Sequence, residues 1–126
     1  MPQLLVVDDS RVMREMIVAC LRGDQALAFT HAASGLEAIE QLSLRAFDLV
    51  ILDLNMPDIA GFEVIEFIRS QDKLSALPIL VVTTRGDESS RTKALDVGAS
   101  SFMTKPFAPE AIAAEVRGLL DAQQAS

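Results

Sequence analysis

Leu4-Leu5-Val6-Val7-Asp8-Asp9-Ser10 joins an unbroken apolar run to two consecutive aspartates and a helix-capping serine. A strand covered on both faces is apolar at every position, so Leu4 to Asp8 reads as the buried strand of a parallel sheet. The pattern returns in Leu49-Val50-Ile51-Leu52-Asp53 and in Ile79-Leu80-Val81-Val82-Thr83, each time closing on a polar residue. Ala26 to His31 and Ser101 to Met103 supply two shorter strands. Between the strands lie segments of helical period, and this alternation is the signature of parallel strands joined by crossover helices.

The first helix opens after Ser10 as N-cap, closes before Gly23, and is expected to turn Met13, Met16, Ile17 and Cys20 to the core. The second opens on the capping box Ser34-Gly35-Leu36-Glu37 and is expected to bury Ile39 and Leu42. The third follows Gly61 with Phe62, Ile65 and Ile68 inward and Glu63 and Glu66 outward. The fourth, Glu88 to Val97, has the weakest apolar face, which makes it the expected mobile element. The fifth starts at Pro109 and lines up Ile112, Val116 and Leu119, with Ala122 to Ser126 expected to fray. One domain over residues 1–121 is expected, with no linker to an output domain.

The 126 residues suffice for a core burying about two-thirds of the unfolded chain's surface. A net charge of −7 with no basic run argues against direct nucleic-acid binding. No apolar run approaches the ~20 residues of a membrane span, and Met1 to Ser10 lacks the form of a signal peptide. A lone Cys20 excludes an internal disulfide, so a reducing, cytoplasmic setting is the default.

Five βα units with right-handed crossovers give an α/β doubly wound five-stranded parallel sheet with helices on both faces. In strand order 2-1-3-4-5 the first and third strands meet at the topological switch point, where ligands bind beyond the carboxyl ends. Asp8, Asp9 and Asp53 converge there. Three such carboxylates repel one another unless neutralised, and a hard all-oxygen set suits Mg²⁺. Thr83 and Lys105 end the next two strands with a hydroxyl donor and a point charge, both suited to phosphoryl oxygens. His31 lacks partners for metal binding and reads as a surface residue. Cys20 reads as a small hydrophobe.

Five separated motifs carry a resemblance: Val6-Val7-Asp8-Asp9-Ser10-Arg11-Val12-Met13-Arg14, Leu49-Val50-Ile51-Leu52-Asp53-Leu54-Asn55-Met56-Pro57-Asp58-Ile59-Ala60-Gly61, Val81-Val82-Thr83-Thr84, Gly98-Ala99, and Phe102-Met103-Thr104-Lys105-Pro106-Phe107. Together they resemble the receiver domain of bacterial two-component response regulators, the CheY-like superfamily, across essentially the whole chain. The resemblance implies a flavodoxin-like (βα)₅ fold and a phosphoacceptor at Asp53, loaded from the phosphohistidine of a sensor kinase or phosphotransfer protein. It implies Mg²⁺ on Asp9, Asp53 and the Asn55 carbonyl, with Asp8 assisting through water. Lys105 would pair with Asp53, Thr83 and Phe102 would form the switch, and Lys105-Pro106 would be cis. A downstream protein would dock on the face of the fourth helix, fifth strand and fifth helix, where Arg85, Arg91 and Lys93 form a modest basic cluster. A monomer is expected, with dimerisation on phosphorylation the family's other option.

Thr84 and Arg85 depart from the family's usual small residue and, in the chemotaxis protein, an acid; they are expected either to slow water's attack on the acyl phosphate or to alter phosphatase recognition. Phe102 in place of Tyr removes a hydroxyl. Other occupants of this architecture fit less well. Asp8 and Asp9 would repel the phosphate of FMN. A haloacid-dehalogenase-type phosphohydrolase needs a second Asp where Asn55 stands, and Asn55 cannot shuttle a proton. A phosphorylation-independent interaction module would not require Asp8, Asp9, Asp53, Thr83 and Lys105 together. The expected chemistry is self-catalysed phosphoryl transfer and slow hydrolysis, without enzymatic turnover of external substrates.

Overall fold

The computed structural model describes residues 1–23 and 26–125. The elements run β1 Gln3–Val7, α1 Arg11–Leu21, β2 Ala28–Ala32, α2 Gly35–Leu44, β3 Leu49–Leu52, α3 Gly61–Ser70, β4 Ile79–Thr83, α4 Glu88–Val97, β5 Ser101–Thr104 and α5 Pro109–Ala125. The strands form one parallel sheet in the order β2-β1-β3-β4-β5. This is the flavodoxin-like doubly wound sheet expected from the apolar runs.

The pleat sorts the strand residues between two cores. Leu5, Val7, Val50, Leu52, Ile79 and Val81 pack with Ala38 and Leu42 of α2, Val64, Ile65 and Ile68 of α3, and Ala94 of α4. Leu4, Val6, Leu49, Ile51, Leu80 and Val82 point the other way, onto Ile17, Val18 and Leu21 of α1 and Ile112, Val116 and Leu120 of α5. The central runs Leu4–Val7, Leu49–Leu52 and Ile79–Val82 are therefore apolar throughout because both of their faces are covered.

Four helix and strand readings need correction. In α1 the buried residues are Ile17, Val18 and Leu21, while Met16 is exposed. The core stripe runs to one side of the one expected, and Met13 and Cys20 only flank it. In α2 the buried pair is Ala38 and Leu42, Ile39 being half-buried, because this i, i+4 pair faces the sheet where α2 packs on β2 and β1. β2 starts at Ala28 rather than Ala26, since its ladder begins opposite Gln3 and the Ala28 N–H donates to the Pro2 carbonyl. Finally α5 spans Pro109–Ala125 and buries Leu120 more fully than Leu119. Ala and Gln are good helix formers, and neither Gly nor Pro follows Gly118 to stop the turn. Ser126 lies outside the described residues.

α4 has the sparse packing its sequence implies, with only Ser90 and Ala94 buried. Its ends are nevertheless fixed. Asp87 caps its start, accepting from the Ser90 N–H at 2.9 Å. At its end Arg69 of α3 donates to the carbonyls of Gly98 at 2.9 Å and Leu77 at 2.7 Å, tying α3, α4 and the entry to β4 together. α3 contrasts with it. Ala60 occupies the N-cap with extended backbone (φ −61°, ψ 145°) and has no side-chain acceptor for the first amides. Ala60→Ser is expected to stabilise the fold by about 1 kcal/mol, read as a higher urea midpoint at unchanged m value.

Candidate functional site

At the carboxyl end of the sheet, Asp8 and Asp53 stand one residue past β1 and β3. Their backbones remain in register, the Asp53 N–H donating to the Val7 carbonyl at 3.0 Å and the Asp8 N–H to that of Ala32 at 3.1 Å. Both side chains are buried, whereas Asp9 is exposed at the rim. Carboxylate oxygens of Asp8, Asp9 and Asp53 lie within 4.8 Å of one another.

Lys105, following β5, reaches across this end of the sheet. Its Nζ donates to Asp8 Oδ2 at 2.7 Å and to Asp53 Oδ2 at 3.3 Å, with the Lys side chain only 11% exposed. The ammonium is thus shared, and its shorter contact is to Asp8 rather than to Asp53. Burial alone would lower the lysine's pKa. The hydrogen bond to Asp8 and the charges of Asp53 and Asp8 outweigh that effect and hold it above its ordinary value. The Lys105–Pro106 peptide is cis.

Three negative charges against this ammonium leave a net excess on a wholly oxygen donor set. Such a set fits a hard divalent cation, and Asp9 is its one exposed member.

The loop after Asp53 shapes the opening. The Asn55 N–H donates to Asp53 Oδ1 at 3.2 Å, which fixes the rotation of the carboxylate and presents Oδ2 to Lys105. Asn55 Nδ2 donates to the Thr84 hydroxyl at 3.3 Å, linking the loops that follow β3 and β4. Thr83 is fully buried, and its hydroxyl accepts the Arg85 N–H at 3.2 Å. The register pairs Val81 with Phe102 and Thr83 with Thr104. Thr83 and Phe102 therefore share one face of adjacent strands. Phe102 is half-buried against the α3 and α4 side of the core, with the Arg91 guanidinium 5.9 Å from its ring centroid.

The Arg85 guanidinium lies over the Phe62 ring of α3 at 5.5 Å, and Lys93 approaches the same ring at 4.3 Å. Both cations are thereby drawn toward α3.

Two contributors escaped the sequence reading. Arg14 of α1 donates to the Asp8 carbonyl at 2.6 Å and to His31 Nδ1 at 3.1 Å. Burial and the Arg14 charge lower the His31 pKa, which favours the neutral imidazole that can accept this bond. The second is Asp58, which accepts the first amides of α2, from Gly35 at 3.1 Å and Leu36 at 3.0 Å. Asp58 lies within a quoted motif, but a contact to α2, more than twenty residues earlier, leaves no local signal.

These backbone bonds hold the Asp58 pKa at about 2, and bonds from Ser89 and Ser90 hold that of Asp87 at about 2. Both lie below the unfolded value near 4, so their contribution is complete above about pH 4 and is lost as pH falls toward 2. Urea midpoints are expected to decline across that window, and less steeply in Asp87→Asn.

Residues 4–117 match the family model described as the response regulator receiver domain. Among curated proteins, the response regulator Rre1 of Synechocystis is 35% identical over 123 residues, covering 98% of this chain and 53% of Rre1. The KDP operon transcriptional regulatory protein KdpE of Escherichia coli is 36% identical over 117 residues, covering 93% of this chain and 50% of KdpE. The chain thus spans about half the length of these relatives. Among solved structures, the chemotaxis response regulator CheY4 of Vibrio cholerae superposes with a TM-score of 0.87 at 34% identity, covering 94% of this chain and 98% of CheY4. The signal receiver domain of a histidine kinase from Syntrophus aciditrophicus gives 0.88 at 30% identity, covering 97% of this chain and 92% of that domain.

Proposed function

The chain belongs to the response regulator receiver domain family, and from that premise we propose that Asp53 accepts a phosphoryl group from a phosphohistidine on a sensor kinase or phosphotransfer protein. The observation that carries this reading is the gathering of Asp8, Asp9 and Asp53 around the Lys105 ammonium at the sheet's switch point.

In the transfer, the phosphorus–nitrogen bond of the donor breaks, its electron pair stays on the imidazole, and a bond forms to a carboxylate oxygen of Asp53. Such a reaction needs positioning and charge cancellation more than covalent help. The Asn55 N–H orients Asp53. Lys105, already within reach of Asp53 Oδ2, cancels charge on a phosphoryl oxygen. Mg²⁺ would be held by Asp9, Asp53 and the Asn55 carbonyl, with Asp8 assisting, and would supply further charge cancellation when bound.

The Thr83 hydroxyl then leaves the Arg85 N–H and donates to the phosphoryl group. Phe102 responds because it shares that face of the sheet. The α4, β5 and α5 surface is the output that a partner protein reads, and α4 yields most readily because it buries least. The chemistry stays within the chain as self-phosphorylation and slow hydrolysis. We place the protein in the cytoplasm as a monomer, without direct nucleic-acid contact by these residues. Among the described residues no helix is long and apolar enough to cross a membrane.

The test is incubation with acetyl phosphate and Mg²⁺, read by intact mass. One phosphoryl group per chain, located at Asp53 and prevented by a chelator, is expected. An unmodified chain under these conditions, and with competent phosphohistidine donors, would overturn the reading.

A further inference from the structure

Between Asp53 and α3 the chain makes a loop whose base is closed by the Gly61 N–H donating to the Leu54 carbonyl at 3.0 Å. Asn55, Pro57 and Asp58 are exposed on it, so little burial holds its outer half. That half rests instead on the start of α2. The two carboxylate oxygens of Asp58 take one amide each, from Gly35 and Leu36, while Ser34 caps the Glu37 N–H of the same turn at 3.1 Å. Ile59 lies directly against the helix. A Cβ on Gly35 would meet Ile59 Cβ at 2.8 Å and the Ile59 carbonyl at 3.1 Å. A glycine is needed there for close approach, and together the two contacts form a clamp between this loop and α2.

We infer that Asp58 is a positioning residue: by gripping the first turn of α2 it fixes the loop that carries Asn55, and so sets the affinity of the acidic cluster for its divalent cation. This rests on the phosphoacceptor reading, in which the Asn55 carbonyl is a metal ligand. A carbonyl on a loop free to sample other conformations is rarely in place, and the cation's apparent affinity falls by the fraction of time it is absent. The backbones of Asp8 and Asp53, one residue past β1 and β3, are placed by the sheet and not by the clamp. The effect should therefore appear in cation binding and vanish once Mg²⁺ saturates the site.

The test is Mg²⁺ titration of the full chain followed by backbone amide NMR shifts, together with phosphorylation rates from acetyl phosphate at limiting and saturating Mg²⁺. Asp58→Ala is expected to weaken Mg²⁺ binding by about tenfold, with the rate at saturating Mg²⁺ within about twofold of the parent. Gly35→Ala breaks the same clamp from the other side and should weaken binding in the same direction. Ser34→Ala loosens the helix end without touching the loop, and Glu63→Gln removes a nearby exposed charge; both should bind Mg²⁺ like the parent. Should Asp58→Ala unfold, Asp58→Asn, which keeps the side-chain shape, carries the same expectation. Parent-like affinity in folded Asp58 and Gly35 variants overturns the inference, as does equal weakening in Ser34→Ala or Glu63→Gln. A parent chain that binds no Mg²⁺ overturns the phosphoacceptor reading as well, so the two failures are distinct.

Discussion

Asparagine in place of Asp53 is expected to abolish the phosphoryl mass gain, and alanine in place of Lys105 to slow it by about a hundredfold while tightening the binding of divalent cations. The opposed signs are diagnostic. In the unmodified chain Lys105 is a competing cation, 2.7 Å from Asp8 and 3.3 Å from Asp53. Removing it leaves the carboxylates uncompensated in a largely buried site, so a dication gains several-fold in affinity. During transfer the same ammonium acts on a phosphoryl oxygen, and what is lost there is charge stabilisation at the reacting group. Phosphorylation rates and Mg²⁺ titrations on one preparation separate the two effects. Were Lys105 only a structural ion pair, rate at saturating Mg²⁺ would survive its loss.

Gly61→Ala is expected to destabilise the fold by about 3 kcal/mol, lowering the urea midpoint by about 2 M. A Cβ at Gly61 would stand 2.6 Å from the Asp53 carbonyl oxygen and 2.6 Å from Leu54 Cα. Both are backbone atoms at the end of a central strand and have no rotamer to change. The loop must move or α3 must lift, and either shift carries Asp53 away from Lys105. Gly118→Ala in α5 is the control, since nothing lies within 4 Å of its would-be Cβ. There the change is expected to stabilise by about 0.5–1 kcal/mol through helix propensity alone. Equal effects at the two glycines would refute the steric argument.

Much of this architecture was legible in the chain. Leu4 to Val7, Leu49 to Leu52 and Ile79 to Val82 could be read as doubly covered strands because burial on both faces removes every polar residue from a run. Once those strands were placed, their order put Asp8 and Asp53 side by side, since each ends its strand at the switch point. Caps at Ser10 and Ser34 were equally visible, each accepting an amide three residues on. These features share one cause: the interactions that fix them lie within a few residues, or follow from strand order alone.

What folding added depends on which surfaces meet. The α1 stripe that reaches the core is set by how the helix rolls onto the sheet beside α5, which its 3.6-residue period leaves open by about one position. Lys105 divides its ammonium between two aspartates because the end of β5 places it across the sheet from both. The clamp from Asp58 to α2 and the bond from Arg14 to the Asp8 carbonyl join segments that have no sequence pattern in common. A hydrogen bond between distant segments depends on the three-dimensional approach of two backbones, and no local preference of either segment encodes that distance.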